Sequence, residues 1–208
     1  MVKLTGPLFS MGASGTIGST ITYARKGGTA YARQRVIPHN PKTDGQTGNR
    51  AMWKFLSQNW AAIPQVTKDT WAALAASLSG QNFNAYMHFN QDAWKQFAAP
   101  RQTYPTGAAA GIGTLTSNTA TAQVGQVSGV TKLSTANQNW GIMVFRSAVT
   151  GFTTAPANAK LIVLLDTTNF TTWIDTPVVA GTWYYNFRVF AKEGLLGAEL
   201  GEQTVIVT

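Results

Sequence analysis

The sequence predicts an α+β protein in two parts, in which an N-terminal arm and short helices precede an antiparallel β-sandwich. Apolar residues recur at helical spacing up to about residue 98, whereas from residue 112 onward they alternate with polar residues in short runs separated by turns. A chain of 208 residues is long enough to bury two small cores. We expect four segments: a basic arm with a hairpin at 1–42, three helices at 43–98, a linker at 99–111 and the sandwich at 112–208.

The arm contains a hairpin pattern. Residues 16–23 alternate weakly, Gly27 and Gly28 supply a turn, and residues 31–37 return as a second strand. A period of two places four side chains on one face of that strand: Tyr31, Arg33, Arg35 and Ile37. This cationic face is either a solvated strand surface or a binding surface. Because an isolated two-stranded hairpin is marginally stable, we expect the arm to be mobile until it lies on a partner.

The first helix is expected to begin just after a proline-containing spacer at 38–41. Thr43 and Gln46 have the spacing of a capping box, in which each side chain bonds the backbone N–H of the other residue. Asp44 suits the positive end of the helix. Apolar residues then follow at helical spacing to about residue 62, and Pro64 ends the helix.

Two further helices and six strands are predicted after it. Thr67 is a candidate cap for the second helix, Gly80 ends that helix, and the third helix is expected at 84–97. The helical spacing of their tryptophans favours a core over a ligand cage. The predicted strands are 114–123, 140–148, 160–166, 170–175, 182–192 and 203–207.

The positive charge is concentrated near the N-terminus. The net charge is +8, and the bases and acids that follow Arg101 cancel. Up to residue 54 the chain has one acid, Asp44, and eight bases: Lys3, Arg25, Lys26, Arg33, Arg35, Lys42, Arg50 and Lys54. Such an imbalance is typical of a protein that meets an acidic partner, which is either nucleic acid or an acidic protein surface.

Catalytic patterns are weak in this sequence. Cysteine is absent and the two histidines, His39 and His88, are interpreted as structural, so we expect neither a thiolate centre nor a transition-metal site, and no cofactor. Asp166 and Asp175 lie at the ends of predicted strands and are a conceivable carboxylate pair, although solvated turn acids are commoner. No apolar run suggests a leader or a membrane span. We expect a protein that is not an enzyme.

The stretch "VAGTWYYNFRVFAKEGLLGAEL" resembles the end of a fibronectin type III module. The residues that match that pattern are Tyr185, Phe187, Arg188, Val189, Ala191 and Gly194. The resemblance implies a fibronectin type III-like or immunoglobulin-like sandwich. Such modules are common on tailed-bacteriophage particles, mostly as interaction domains without enzymatic activity.

A second resemblance covers about the first 95 residues. It is to a family of tailed-phage structural proteins with an RxRVxPxNPxTxxQxxxR signature followed by tryptophan-bearing helices. The matching residues are Arg33, Arg35, Val36, Pro38, Asn40, Pro41, Thr43, Gln46 and Arg50. The resemblance implies a virion component assembled in the host cytoplasm, and an accessory or decoration protein of the head is slightly favoured over the neck or tail.

The leading hypothesis is a virion protein, present in multiple copies, whose basic region docks on a capsid, neck or tail protein. The candidate partner-binding residues are Arg25, Lys26, Tyr31, Arg33, Arg35 and Arg50. One alternative is nucleic-acid binding through the same arm, with the first two helices as a helix-turn-helix. Another is a carbohydrate-binding sandwich with Tyr184 and Phe190 exposed. No membrane partner is expected.

Overall fold

The computed structural model of the chain describes residues 2–4, 15–17, 20–26, 28–36, 40, 42–105, 112–133, 139–166 and 171–208. Two compact units are present, Met1–Pro41 and Lys42–Thr208. The first contains strands β1 (Val2–Leu4), β2 (Gly15–Ile17), β3 (Ile21–Lys26) and β4 (Thr29–Gln34). The helices of the second are α1 (Asp44–Ala62), α2 (Gln65–Asp69), α3 (Ala72–Ser77) and α4 (Asn82–Lys95). Its strands are β5 (Leu115–Gln123), β6 (Gln126–Leu133), β7 (Asn139–Ser147), β8 (Lys160–Leu165), β9 (Thr171–Asp175), β10 (Gly181–Ala191) and β11 (Leu200–Val207).

The N-terminal unit is an antiparallel sheet in the order β1-β4-β3-β2. A hairpin with Gly28 in its turn is present as β3 and β4, and Gly28 has a positive φ of 79°, a conformation that glycine adopts without strain. The predicted first strand at 16–23 is wrong in its bounds, because those residues fall partly in β2 and partly in β3. The predicted hairpin was two-stranded, but each of its strands pairs with a further short strand. These added strands satisfy the backbone groups that an isolated hairpin would expose. Ile37 lies outside the described residues.

Helix α1 ends where the sequence predicts, but it does not begin with a capping box. Thr43 occupies the N-cap position and makes no side-chain cap hydrogen bond. Its carbonyl accepts a hydrogen bond from the N–H of Thr47 at 2.9 Å. The first turn is held by the Asp44 side chain, which forms an ion pair with Arg146. The position of the first turn is therefore fixed by a contact between residues 102 positions apart along the chain, and not by a local cap.

The single second helix expected after Thr67 is wrong, because the chain forms two short helices there. Thr67 lies inside α2, and the break falls between α2 and α3, next to the fully buried Trp71. The Trp71 indole donates to the carbonyl of Gln102 at 2.7 Å, while Tyr104 donates its N–H to the Thr70 hydroxyl at 3.1 Å. Gln102 and Tyr104 thus form hydrogen bonds with the residues at the break between α2 and α3. Helix α4 lies within two residues of its predicted position.

The β-strands of the second unit form two antiparallel sheets. The larger has the order β11-β10-β7-β8 and the smaller β5-β6-β9. The six predicted strands are present, but β6 was missed. Its centre is Gly129, which weakens a strand pattern in the sequence, and glycine is required there because a Cβ would lie 2.5 Å from the Trp173 ring. The fold is α+β with antiparallel sheets.

The larger sheet is the middle of three layers. Alternate residues of β10 face opposite sides: Tyr185, Phe187 and Val189 belong to the core shared with the smaller sheet. Phe190 belongs to the core on the other face, where it meets Phe55 of α1 at a ring-centroid distance of 5.3 Å. The helices and the sandwich were expected as separate segments, but the helices share this second core with the larger sheet. The reason is that both faces of β10 are apolar, so each needs a cover.

The expected linker is also wrong over 99–105. Asn90 accepts from the N–H of Arg101 at 2.7 Å and donates to its carbonyl at 3.0 Å. Gln102 donates its N–H to the carbonyl of Lys192 at 2.7 Å. This segment is therefore a packed strap between α4 and the β-sheet layer rather than a spacer. Residues 106–111 lie outside the described residues.

Candidate interaction surfaces

The N-terminal sheet is built from a segment that contains no acid. Residues 1–43 include neither aspartate nor glutamate. Within the N-terminal unit, residues 1–41, there are five bases: Lys3, Arg25, Lys26, Arg33 and Arg35. No ion pair can therefore form within this unit. Its cations must find their counter-charge in solvent ions or outside the sheet.

The strand register sorts the predicted binding residues between two faces. Residues directly opposite in an antiparallel pair share a face, and Tyr31 pairs with Ala24 while Arg33 pairs with Thr22. Lys26 alternates onto that same face. Arg25 pairs with Ala30 and lies on the opposite face. The structure thus brings Lys26, Tyr31 and Arg33 together and separates Arg25 from them.

The face that carries Tyr31 is polar and cationic. Lys26 and Arg33 are exposed and the Tyr31 ring is half-buried. Thr16 and Thr22 are joined across the neighbouring strands by a hydroxyl contact of 3.2 Å. Arg35, just beyond β4, is exposed, and its backbone N–H donates to Thr20 at 2.7 Å. We call Lys26, Tyr31, Arg33 and Arg35 the basic face.

The opposite face of the hairpin is largely apolar. Ile21 pairs with Gln34 and Tyr23 with Ala32, so Ile21, Tyr23, Ala30 and Ala32 share it with Arg25. The side chain of Ile21 is 41% exposed. The sheet therefore has one face suited to carboxylates, through the arginine forks, and one suited to apolar contact.

Arg50, the sixth predicted residue, belongs to the other unit. It lies exposed on α1, where it lines a groove between α1 and β8 together with Lys54. The predicted set is therefore distributed over two distinct surfaces, the N-terminal sheet and the flank of α1. Spacing along the sequence gave no indication of that division.

A buried ionic cluster in the second unit was not predicted. The Arg146 guanidinium is 5% exposed, and its Nη1 donates to Asp175 Oδ2 at 2.6 Å. Its Nη2 pairs with Asp44, and its Cζ lies 4.7 Å from the Trp183 ring centroid. The cluster joins the first turn of α1 to both sheets. Asp44 in the sequence is a visible signal of a helix start, but nothing local marks Arg146 as its partner.

The electrostatics of this cluster follow from burial opposed by pairing. Burial raises the pKa of the Asp175 carboxyl, against the opposing effect of Arg146 and of the Tyr185 hydroxyl, which donates to Asp175 at 2.9 Å. Burial would lower the pKa of Arg146, but the charges of Asp175 and Asp44 outweigh it and raise that pKa. Burial raises the pKa of Tyr185 as well, so its phenol stays a donor. The cluster therefore has a structural role, which is to hold the first turn of α1 against both sheets.

Asp166 and Asp175, the conceivable carboxylate pair, have separate partners. Burial raises the pKa of Asp166, and a hydrogen bond from Asn59 opposes that shift. Asp175 is engaged by Arg146 and Tyr185 as described above. Within the described ranges, no group of three or more His, Cys, Asp or Glu side chains is arranged to hold a metal ion.

The aromatic pair considered for carbohydrate binding is not available as expected. Phe190 is fully buried, between Phe55 and Trp140. Tyr184 is half-buried and packs against the same core. The reason is again that the second face of β10 is covered by the helices. Among the helices that the structure describes, none is long and apolar enough to cross a bilayer.

Comparison with known proteins gives little further information. No protein-family model matches this chain. No curated protein matches it either. Among solved structures it is similar to an Fn3-like protein from Clostridium thermocellum, with 18% sequence identity and a TM-score of 0.35, over 49% of this chain and 96% of that chain. The strand order given above, rather than this likeness, defines the fold.

Proposed function

We propose that this chain is a non-enzymatic structural protein of a tailed-phage particle, which docks through its N-terminal sheet on an acidic face of a capsid, neck or tail protein. The signature that includes Arg33, Arg35 and Arg50 supports the virion assignment. The observation that carries the docking proposal is the basic face, because it groups cations around Tyr31 in a segment without a single acid. A head accessory role is slightly favoured.

The chemistry of the basic face suits a protein partner. Arginine forks bind carboxylates with two hydrogen bonds, and an aromatic side chain between cations adds apolar contact area. Long-range attraction between opposite surface charges accelerates encounter more than it strengthens the final complex. A component that must find its place among many copies of an acidic surface would gain speed and orientation from this arrangement.

The C-terminal part of the second unit, residues 102–208, supports a role in display or assembly. Residues 102–208 carry five bases and five acids, so this part has no net charge. We propose that it is a fibronectin type III-like module that projects from the particle or contacts neighbouring copies. Fold alone does not give function, so this part of the proposal depends on where the chain lies on the particle.

Nucleic-acid binding is the second candidate, favoured by the same positive charge. Its helix-turn-helix form loses support, because the expected recognition helix is split into α2 and α3 of five and six residues. Trp71 at the break is fully buried and not available to a groove. A nucleic-acid role would therefore depend on the basic face alone.

One pair of measurements tests the proposal. Locating the chain in an image reconstruction of purified particles should show its N-terminal unit against an acidic surface of another virion protein. Binding of the purified chain to duplex DNA should be weak. A DNA affinity that falls with salt as steeply as the release of six or more counterions requires would instead support the nucleic-acid candidate. Absence of the chain from purified particles would contradict the virion assignment.

A further inference from the structure

The outer face of the smaller sheet is formed by short, uncharged side chains. The inner face of this sheet belongs to the sandwich core, where Val127 and Trp173 are buried. Alternate residues point the other way, and the strand register places them in two rows that cross the three strands. The first row is Thr119, Val130 and Thr172, and the second is Thr121, Ser128 and Ile174. We call these six residues the neutral face.

The neutral face is open and continues into an apolar end of the sandwich. Its side chains on β5 and β9 are exposed, with Ile174 57% exposed, and those on the central strand β6 are half-buried. Beyond it, the β5–β6 turn and the β9–β10 connection are joined, because Val178 donates its N–H to the carbonyl of Gly125 at 2.9 Å. Val124 and Val179, which lie there, are 88% and 75% exposed.

Charge is almost absent from this surface. The sequence has no charged residue from 102 to 131. Within the described parts of β5, β6 and β9, the charged side chains are Asp175, which is buried, and Lys132, which lies opposite Ser117 at one end of the face. An ordinary soluble surface is about 25–35% charged residues, whereas the core of a protein interface is depleted of them. The neutral face therefore has the composition of a surface that is covered in an assembly.

The chemistry of the face favours a second β-sheet as its cover. None of the six residues is aromatic or charged, so neither the stacking of sugars and bases nor the binding of phosphate is favoured. The Thr119 hydroxyl is engaged within the sheet, since it accepts from the Val130 N–H at 3.3 Å and donates to the Val130 carbonyl at 3.4 Å. Small and β-branched side chains on a pleated surface interdigitate with those of a facing sheet.

A second copy of this chain supplies such a sheet. The chain has a net charge of +8, so like-charge repulsion opposes an approach of two copies through their basic residues, whereas the neutral faces can meet without opposed cations. A two-fold axis through the face would set similar side chains against one another. Three strands of about eight residues present about 400 Å², which is half of the about 800 Å² per partner in a stable complex. The contact is therefore weak in solution and forms where copies are held side by side at millimolar effective concentration.

We propose that the neutral face packs on the neutral face of a second copy, as a weak two-fold contact of sheet on sheet between neighbouring copies. The inference rests on the proposed function for the assembly that holds the copies together, but the contact itself is a property of the chain. It uses a different surface from the basic face. Its failure in the purified chain would leave the virion assignment standing, because that assignment is tested by the presence of the chain in particles.

Dilution of the purified full chain from about 2 mM to about 0.05 mM, followed by NMR, measures the pairing. The backbone amides of 119–121, 128–130 and 172–174 should shift with concentration, with a Kd in the millimolar range that the small contact area implies. The amides of α3 should not shift. An unchanged neutral face at the highest concentration, or shifts confined to other surfaces, would overturn the proposal.

Cross-linking tests which residues meet, because the chain has no cysteine of its own. Val130→Cys places a thiol at the centre of the neutral face, and Ala76→Cys places one at an exposed position on α3. With a short bismaleimide at about 1 mM protein, Val130→Cys should form covalent dimers at least about tenfold faster than Ala76→Cys. Equal rates would contradict a specific contact, because they would reflect random collision.

A matched pair of charge variants tests the need for neutrality. Thr121→Lys introduces a cation into both facing surfaces of a two-fold pair, whereas Ala76→Lys adds the same charge on α3. Thr121→Lys should weaken the self-association at least about tenfold, and Ala76→Lys should leave it nearly unchanged. Both variants should unfold at the temperature of the parent chain within a few degrees, since both positions are exposed. Equal weakening by the two variants would overturn the proposal, because the effect would then be one of net charge alone.

Discussion

The two units of this protein treat their charges in opposite ways. In the second unit, Arg146 is buried and paired with Asp175 and Asp44, and the surrounding aromatic core excludes water. In the described part of residues 1–41, no side chain is buried, and the sequence supplies no acid to pair with the bases. The comparison shows that charge stabilises the fold in one unit, whereas in the other it is presented to the surroundings.

The largest expected effect on stability comes from disrupting the buried ionic cluster around Arg146. Arg146→Ala leaves the Asp175 carboxylate, 3% exposed, without its cationic partner, so the free energy of unfolding should fall by about 3–5 kcal/mol. Arg33→Ala on the basic face should change it by no more than about 0.5 kcal/mol. Chemical denaturation measures both. If the two variants were equally stable, the contrast between the units would be lost.

A double variant sharpens that result. In Arg146→Ala combined with Asp175→Asn, the uncompensated charge is gone, so the combined loss should be smaller than the sum of the two single losses. Strict additivity would mean that Arg146 and Asp175 contribute separately, in spite of their 2.6 Å contact.

The next expected effect compares two glycines of the first turns of α1. A Cβ at Gly48 would lie 2.6 Å from the Leu161 carbonyl oxygen and 3.1 Å from the Trp94 ring, whereas a Cβ at Gly45 meets nothing within 4 Å. Gly48→Ala should destabilise the protein by about 1–3 kcal/mol. Gly45→Ala should stabilise it by up to about 1 kcal/mol, because alanine favours the helix. Thermal unfolding of the matched pair measures the difference, and equal shifts would contradict the close approach of α1 to β8.

Features that depend on neighbouring residues could be predicted from the sequence, whereas features that depend on distant residues could not. The end of α1 at Pro64 and the turn at Gly28 depend on neighbouring residues, so their patterns are visible in the sequence. The break at Trp71 and the start of α1 at Asp44 depend on Gln102 and Arg146, which lie far away along the chain. The same applies to the candidate site. Alternation indicated that Tyr31 and Arg33 share a face, but the groove at Lys54 depends on a helix meeting a sheet edge.

A smaller effect is expected in the dynamics of the two units. Amides of β3 and β4 should exchange with solvent faster than those of β7 and β10, because the N-terminal sheet has few buried contacts and the larger sheet is covered on both faces. Hydrogen exchange followed by mass spectrometry measures this directly. Equal protection would show that the N-terminal sheet is as stable as the core of the second unit before any partner binds.

The smallest expected effect is a pH dependence of the free energy of unfolding. It arises from Glu199, a paired carboxylate near the surface of the second unit. Burial would raise the pKa of Glu199, but hydrogen bonds from the Thr154 hydroxyl at 2.6 Å and N–H at 2.8 Å outweigh it and lower that pKa. The unfolded chain then takes up the proton first as pH falls, so this contribution is complete above about pH 4.5 and is lost as pH falls through the lower folded-state pKa. Since Glu199 is exposed, its contribution to the free energy of unfolding should be below about 1 kcal/mol.

Carboxyl titration by NMR measures the effect at the residue itself. Thr154→Val removes the hydroxyl donor and should move the pKa of Glu199 back toward its ordinary value, while the backbone N–H of residue 154 still holds part of the shift. Glu199→Gln should flatten the decline of stability with falling pH that this group causes. A Glu199 pKa that does not respond to Thr154→Val would mean that the charge is held by Arg188 and Asn186 instead, and that paired charges in this unit are less dependent on individual donors than the Arg146 cluster suggests.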